Sequence, residues 1–435
     1  MKKFRLLFIL LTGLLQNFGN LFSQDVINLS LDSAISYALH YNKTLINAKL
    51  SMADADKALW ETIARGLPQA SATIDYANYL GYEIEIRFNE NMPPAKIKSK
   101  PTSNFKFAVN QLIFSGSYYV GIKLAELSKQ ITEKNTIRTE LEVKKQVSNA
   151  YFLAQISANY VRILNSNYAN IKDVYEKTKM MVETGVREST DADQLAVRVA
   201  DMEAALRSAE RQLELSHNLL RLQMGIDINT KLNLTDSLSL ILLNIDYLKL
   251  LTDSFDLNKN IDYKMVTLQE EIAKKQITLQ KMNFLPTVTG MYSYTYKFLK
   301  PDFDMTPPNL VAINISIPIF SSGMRLAQLS QAKVKYLQAK NNRELIEEQL
   351  LIREKQARFN LKNALETYEN RKNNLEVSRR VYEKINLKYQ HGAVSSLDLI
   401  TAHNNYLQSE SQYLESVYQL LQSIIELENI LYEIN

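Results

Sequence analysis

Proline placement constrains this chain more than any other feature. The nine prolines fall at positions 68, 93, 94, 101, 286, 301, 307, 308 and 318, so none lies between Pro101 and Pro286 and none follows Pro318. A proline inside a helix removes a backbone hydrogen bond and clashes with the preceding turn. The two proline-free tracts are therefore helical territory, and the prolines mark two segments of another kind, 68–114 and 286–320.

The helical tracts repeat one another. Gly185 and Gly392 each interrupt a run of good helix formers and read as the turns of two long hairpins. After Gly392, Ser395 and Asp398 make an S-x-x-D capping box that opens the next helix, and Asp191 stands after Gly185 as Asp398 does after Gly392. Residues 116–184 as one helix would be on the order of 100 Å long, far beyond a globular helix, so they demand a coiled-coil or bundle setting. The returning helices, about 189–224 and 396–432, show seven-residue spacing in Val199, Leu206, Leu213, Leu220 and in Ile400, Leu407, Leu414, Leu421; Tyr406, Tyr413, Leu420 and Leu427 add a second stripe. Upstream of each proline-marked segment lies a shorter helix, 30–66 and roughly 254–284, ended by Leu67-Pro68 and by Phe284-Leu285-Pro286.

The proline-marked segments alternate. Val288, Gly290, Tyr292, Tyr294, Tyr296 and Phe298 take one face of a strand, and Val311, Ile313, Ile315, Ile317 and Ile319 take one face of the next. In the first repeat Ile74 and Tyr76 share a face, as do Phe105, Phe107, Val109 and Ile113, around a loop at 89–103. Every other segment is a helix with a partner of its own, so a core sheet would lack a covering layer. Tyr-, Phe- and Ile-rich strand faces of this length fit a membrane β-barrel, with Tyr292, Tyr294, Tyr296, Ile313, Ile315 and Ile317 towards lipid.

Residues 1–23 read as a secretory signal, with Lys2, Lys3 and Arg5 before an apolar core at Leu6–Leu15. The organisation expected is then a signal at 1–23, a first repeat at 24–225, a short linking strap at 226–250 and a second repeat at 251–435. The net charge of +4 carries no basic excess that would point to nucleic acid. The chain has no cysteine, which excludes thiol catalysis, disulfides and cysteine metal sites. His40, His217, His391 and His403 show no metal-ligand spacing, and no nucleophile elbow, phosphate loop or dinucleotide fingerprint occurs. No enzyme, cofactor or metal is expected.

Four candidate strands cannot close a barrel, and lipid does not tolerate an open sheet edge. The chain must oligomerise, to eight strands as a dimer or twelve as a trimer. The alternative, a periplasmic coiled-coil scaffold without channel activity, leaves the greasy hairpins unexplained.

The order and duplication of helix, Leu-Pro stop, β-hairpin, Ser-Gly, long helix, glycine turn and returning helix resemble the TolC family of outer-membrane efflux proteins. The most specific stretches are Phe284–Pro286, Pro318–Gly323 (PIFSSG) and Gly392–Ile400 (GAVSSLDLI). The resemblance implies an α+β membrane protein. It implies a homotrimer with a 12-stranded outer-membrane β-barrel, four strands per chain, continued by a long periplasmic α-helical coiled-coil barrel. It implies an exit duct for tripartite efflux or type I secretion in a Gram-negative outer membrane, with a periplasmic adaptor and an inner-membrane pump of the RND or ABC type as partners. It also implies that the hairpin tips at Gly185 and Gly392 close the periplasmic entrance. There Asp398 would contribute to a ring of carboxylates, and Tyr389 would bond to Asp191 of the neighbouring hairpin. The family's second ring aspartate is Thr401 here, so the ring is thinner. An arginine that reinforces the tip in some members is Val394 here, and Arg187 occupies the same slot in the other repeat.

Overall fold

The computed structural model describes residues 26–87, 93–243, 245–300 and 306–431. The signal at 1–23 and the tips of the loops at 88–92 and 301–305 lie outside the described residues. The described residues divide into two compact units, one within Met1–Ala48, Thr136–Ile261 and Glu348–Asn435 and the other within Lys49–Asn135 and Asp262–Glu347. No described helix is long and apolar enough to cross a membrane.

The first unit is mainly helical, and its longest helices extend beyond its bounds. The short α1 (Leu31–Tyr41) leads into α2 (Lys43–Ala64). Residues 30–66 are thus not one helix, and Asn42 is the reason. Its Oδ1 accepts from the N–H groups of Thr44 and Leu45 at 2.9 and 3.1 Å and caps α2, while its amide donates to Gln223 O. The hairpins are α3 (Gly116–Glu183) with α4 (Ser189–Met224), and α8 (Met324–Gln390) with α9 (Ser396–Leu431). Both turns place glycine in the left-handed region, Gly185 at φ 74 and Gly392 at φ 75. Val186 N bonds Met181 O and Ala393 N bonds Lys388 O, the long-range closure of a Schellman cap.

The segment 226–250 is more than a strap. β6 (Lys231–Leu234) pairs in parallel with β1 (Val26–Leu29). It is followed by two short helices, α5 (Leu238–Leu243) and α6 (Tyr247–Thr252). Leu242 is buried in the larger of the unit's two apolar clusters, with Tyr151, Leu220, Leu361, Leu420 and Leu427. Tyr151 ties the segment down, its hydroxyl lying 3.0 Å from Leu29 O and 2.9 Å from Asp236 Oδ2.

The other unit holds a four-stranded antiparallel sheet in the order β2-β5-β7-β8, with β2 at Gln69–Ala77, β5 at Thr102–Phe114, β7 at Thr287–Leu299 and β8 at Asn309–Ser316. It joins the hairpins of both repeats through β5 and β7. The loop of the first hairpin carries a small hairpin not expected from its sequence, β3 (Glu83–Ile86) with β4 (Ala95–Lys98), its strands linked by Glu83–Lys98 and Glu85–Lys96 ion pairs. Helix α7 (Ile261–Met282) is shorter than the 254–284 expected and follows a 3-10 turn at Leu257–Lys259.

Candidate functional site: the hairpin tips and the sheet face

The register settles which strand residues share a face. Ala72, Phe107 and Tyr294 form one row, Ile74, Phe105 and Tyr296 the next, and Ala70, Val109, Tyr292 and Val311 a third. Ile313 pairs with Gly290 and Ile315 with Val288, so both join Tyr292, Tyr294 and Tyr296 on that face. A bulge between Leu112 and Phe114 lays Ile113 over Gly290, where a Cβ would meet its Cδ1 at 3.2 Å. Ile317 lies just past the end of β8. Tyr292, Tyr294, Tyr296, Ile313, Ile315 and Ile317 are all exposed, the last three by 68, 59 and 61%. The opposite face carries Ser71, Thr73, Lys106, Asn110, Thr289, Thr295 and Asn314. A polar face and an exposed greasy face on one sheet invert the arrangement of a soluble protein.

At the tips, four helices share a second apolar cluster. It contains Leu164, Ile171 and Val174 from α3, Leu195, Met202 and Ala209 from α4, Tyr382 and Tyr389 from α8, and Leu399 and Ala402 from α9. On α4 the fully packed stripe is Leu195, Met202, Ala209 and Ser216, and the expected stripe of Val199 and Leu206 packs against it as the flanking seam. Small residues hid that stripe from an apolar count.

Arg187 is the centre of the tip. Its guanidinium lies over the Tyr389 ring, 4.6 Å from the centroid, and donates to Tyr389 O at 3.0 Å and to Val394 O at 3.3 Å. It also sits 3.6 Å from Asp191, with only 13% and 18% of the two side chains exposed. The cation thus reaches position 394 from the other repeat. The expected bond between Tyr389 and Asp191 is not made within the chain: the Tyr389 hydroxyl is 3.0 Å from Thr178 Oγ1, and Asp191 Oδ1 is 2.5 Å from Ser396 Oγ. Burial pushes the Tyr389 hydroxyl above the ordinary tyrosine range, so it stays protonated.

The equivalent aspartates have parted roles. Asp398 closes the capping box: Ser395 N and Oγ donate to its Oδ2 at 3.1 and 2.7 Å, and its own N–H donates to Ser395 Oγ at 3.2 Å. It is exposed, and the Ser395 hydrogen bonds hold its carboxyl below the ordinary aspartate range. In the first repeat the cap position is Glu188, which makes no side-chain cap bond. Asp191 is released from capping and faces the second hairpin instead.

Ser396 begins a further pattern absent from the sequence reading. Ser396, His403, Glu410, Val417 and Ile424 are buried on α9 at seven-residue spacing, polar towards the tip and apolar away from it. Each polar member bonds to the first hairpin. Ser396 Oγ also lies 2.8 Å from Gln194 Oε1, and Asn167 of α3 meets both His403 and Glu410. The spacing was legible, but polar residues do not register as core positions.

An antiparallel sheet greasy on its exposed face, joined in one chain to duplicated helical hairpins, is a fold this chain shares with solved outer-membrane channels. Residues 257–431 match the family described as outer membrane efflux protein. The fold is that of the outer membrane protein VceC from Vibrio cholerae, at 16% identity with a TM-score of 0.74 over 92% of this chain and 95% of that one. It is equally similar to CusC, at 17% identity with a TM-score of 0.75 over 95% of each chain. The Campylobacter jejuni CmeC outer membrane channel gives 16% identity and a TM-score of 0.74 over 92% of this chain and 85% of that one. No curated protein sequence matches the chain. Residues 257–431 are thus an outer membrane efflux protein domain, and the chain as a whole has the fold of these solved channels.

Proposed function

We propose that three copies of this chain form an exit duct in the outer membrane, passing substrate delivered by an inner-membrane pump of the RND or ABC type through a periplasmic adaptor. The observation that carries the reading is the sheet itself. Its order leaves β2 and β8 as open edges, and its greasy face has no covering layer among the described residues. In lipid both edges must pair, and β2 of one copy beside β8 of the next gives a closed barrel without an edge. Three copies of four strands close with a polar interior, as an aqueous duct requires.

The hairpin tips are the gate in this reading. Arg187, Asp191, Tyr389 and Ser396 latch the two hairpins of each chain together, Gly185 and Gly392 make the bends, and Asp398 faces the opening. A duct of this width must be shut at rest and opened by its adaptor, and a latch of a few hydrogen bonds meets both needs. Mass measurement of the detergent-extracted protein is the test. A trimer that shifts on unheated electrophoresis is expected; a stable closed monomer, or a protein soluble without detergent, would overturn the reading in favour of a periplasmic scaffold.

A further inference from the structure

The polar stretch of the α9 seam has a chemistry that the latch does not use. His403 is completely buried, and its Nε2 lies 3.3 Å from Asn167 Oδ1. The Asn167 amide donates to Glu410 Oε2 at 3.0 Å and to Ile163 O at 2.9 Å, so Oδ1 is the acceptor and Nε2 must carry the hydrogen. That leaves Nδ1 as a bare lone pair, buried and with no hydrogen-bond partner. Tyr406 donates to the other oxygen of Glu410, and the Tyr382 ring lies 5.2 Å from the imidazole. One histidine, one asparagine and one glutamate therefore join α3 of the first repeat to α9 of the second through a single amide.

We propose that His403, Asn167 and Glu410 form an acid-released clasp between the two hairpins, so that the tips loosen as the surroundings become acidic. Protonating His403 places a second N–H donor at Nδ1, where nothing accepts it, and places a positive charge near Arg198 of α4. Burial and the Arg198 charge together hold the imidazole down to a pKa of about 4. The groups facing the clasp are Asn167 from α3, Arg198 with Asp201 from α4, Tyr382, Arg379 and Glu383 from α8, and Tyr406 and Glu410 from α9 itself.

The sign follows from linkage. A histidine whose folded pKa lies below its ordinary 6.5 stabilises the closed seam fully above 6.5 and loses that contribution as pH falls to about 4. Glu410 acts in the opposite sense. Burial raises its carboxyl, so it takes its proton first, and its neutralisation alone relieves the seam. It also removes the negative charge bonded to Asn167, leaving a protonating His403 to face Arg198 without a counter-charge. A periplasmic protein meets the external pH through a porous outer membrane, so the clasp would respond to acid outside the cell.

The test uses the full-length detergent-extracted protein and reads amide exchange of residues 160–170 and 399–410, corrected for intrinsic rates, between pH 7 and pH 4. Exchange in the parent is expected to rise by about tenfold per pH unit once the charged His403 of the open form must lose its proton to close. His403→Gln keeps an amide donor for Asn167 and removes the imidazole titration, and with Glu410 titrating alone its exchange should not rise in acid. Arg198→Gln, by removing the nearby cation, should shrink the parent's rise and level it off at higher pH, because the closed imidazole then charges more readily. An equal rise in His403→Gln, or an undiminished rise in Arg198→Gln, overturns the clasp. If His403→Gln does not fold, Arg198→Gln decides alone. That loosening opens the duct rests on the gate reading above, and bilayer conductance separates the two: an acid rise in exchange without a rise in conductance keeps the clasp and overturns the gate.

Discussion

Arg187 of the first repeat stacks on Tyr389 of the second, 4.6 Å from the ring centroid, and bonds its backbone carbonyl at 3.0 Å. Two residues from opposite repeats are thereby held face to face at the end of both hairpins, through the ring and main chain of the tyrosine and not through its hydroxyl.

This geometry ranks the latch variants. Tyr389→Phe keeps the ring and loses only the Thr178 contact, and Thr178 still bonds Val174 O, so the cost is about 0.5–1.5 kcal/mol. Arg187→Ser loses a buried cation with two carbonyl bonds and the ring contact, roughly 1.5–3 kcal/mol. Arg187→Ser is therefore expected to raise resting conductance in planar bilayers more than Tyr389→Phe. The reverse order would place the latch on the hydroxyl.

Ser396 is the second point of attachment. Ser396→Ala strands Asp191 Oδ1 without its 2.5 Å partner in a largely buried setting, at a cost of about 1–3 kcal/mol. Resting conductance should rise, and Arg187→Ser with Ser396→Ala should be non-additive because both act on Asp191. Strict additivity would show two independent contacts.

Asp398 separates capping from charge. Asp398→Asn retains a side chain able to accept at the cap and removes the carboxylate. Helix content and trimer mass should be unchanged while cation preference in single-channel recordings falls. Since the Ser395 hydrogen bonds lower its carboxyl, the cap contribution is present above the ordinary aspartate range and is lost only as pH falls through the depressed value. Cation preference should accordingly persist into more acid solution than an ordinary aspartate permits. Unchanged selectivity in Asp398→Asn would leave the residue a cap alone.

On the sheet, Ile315 and Asn314 are neighbours on opposite faces. Ile315→Arg should block membrane assembly, since an arginine facing lipid costs about 2–4 kcal/mol in each subunit. Asn314→Arg, on the polar face, should assemble, as read by the heat-sensitive electrophoretic shift. Equal assembly of both variants would invert the sheet.

The sequence by itself determined the periodic features. Proline exclusion marked the helices, alternation marked strand faces around Tyr292 and Ile315, and the glycines at 185 and 392 marked the bends, because each signal is local and repeats along the chain. The break at Asn42 was less legible, since an asparagine stops a helix only when its side chain finds the next helix's N–H groups. Tertiary structure alone decided which polar groups meet. Glu188 in place of a cap serine frees Asp191 for Ser396, Arg187 supplies position 394 from across the repeat, and Thr178 takes the tyrosine hydroxyl. Ser396, His403 and Glu410 occupy core positions that composition calls surface. Partners from 202 to 243 residues away in the chain satisfy these groups, and no local pattern encodes a hydrogen bond between residues that only packing brings together.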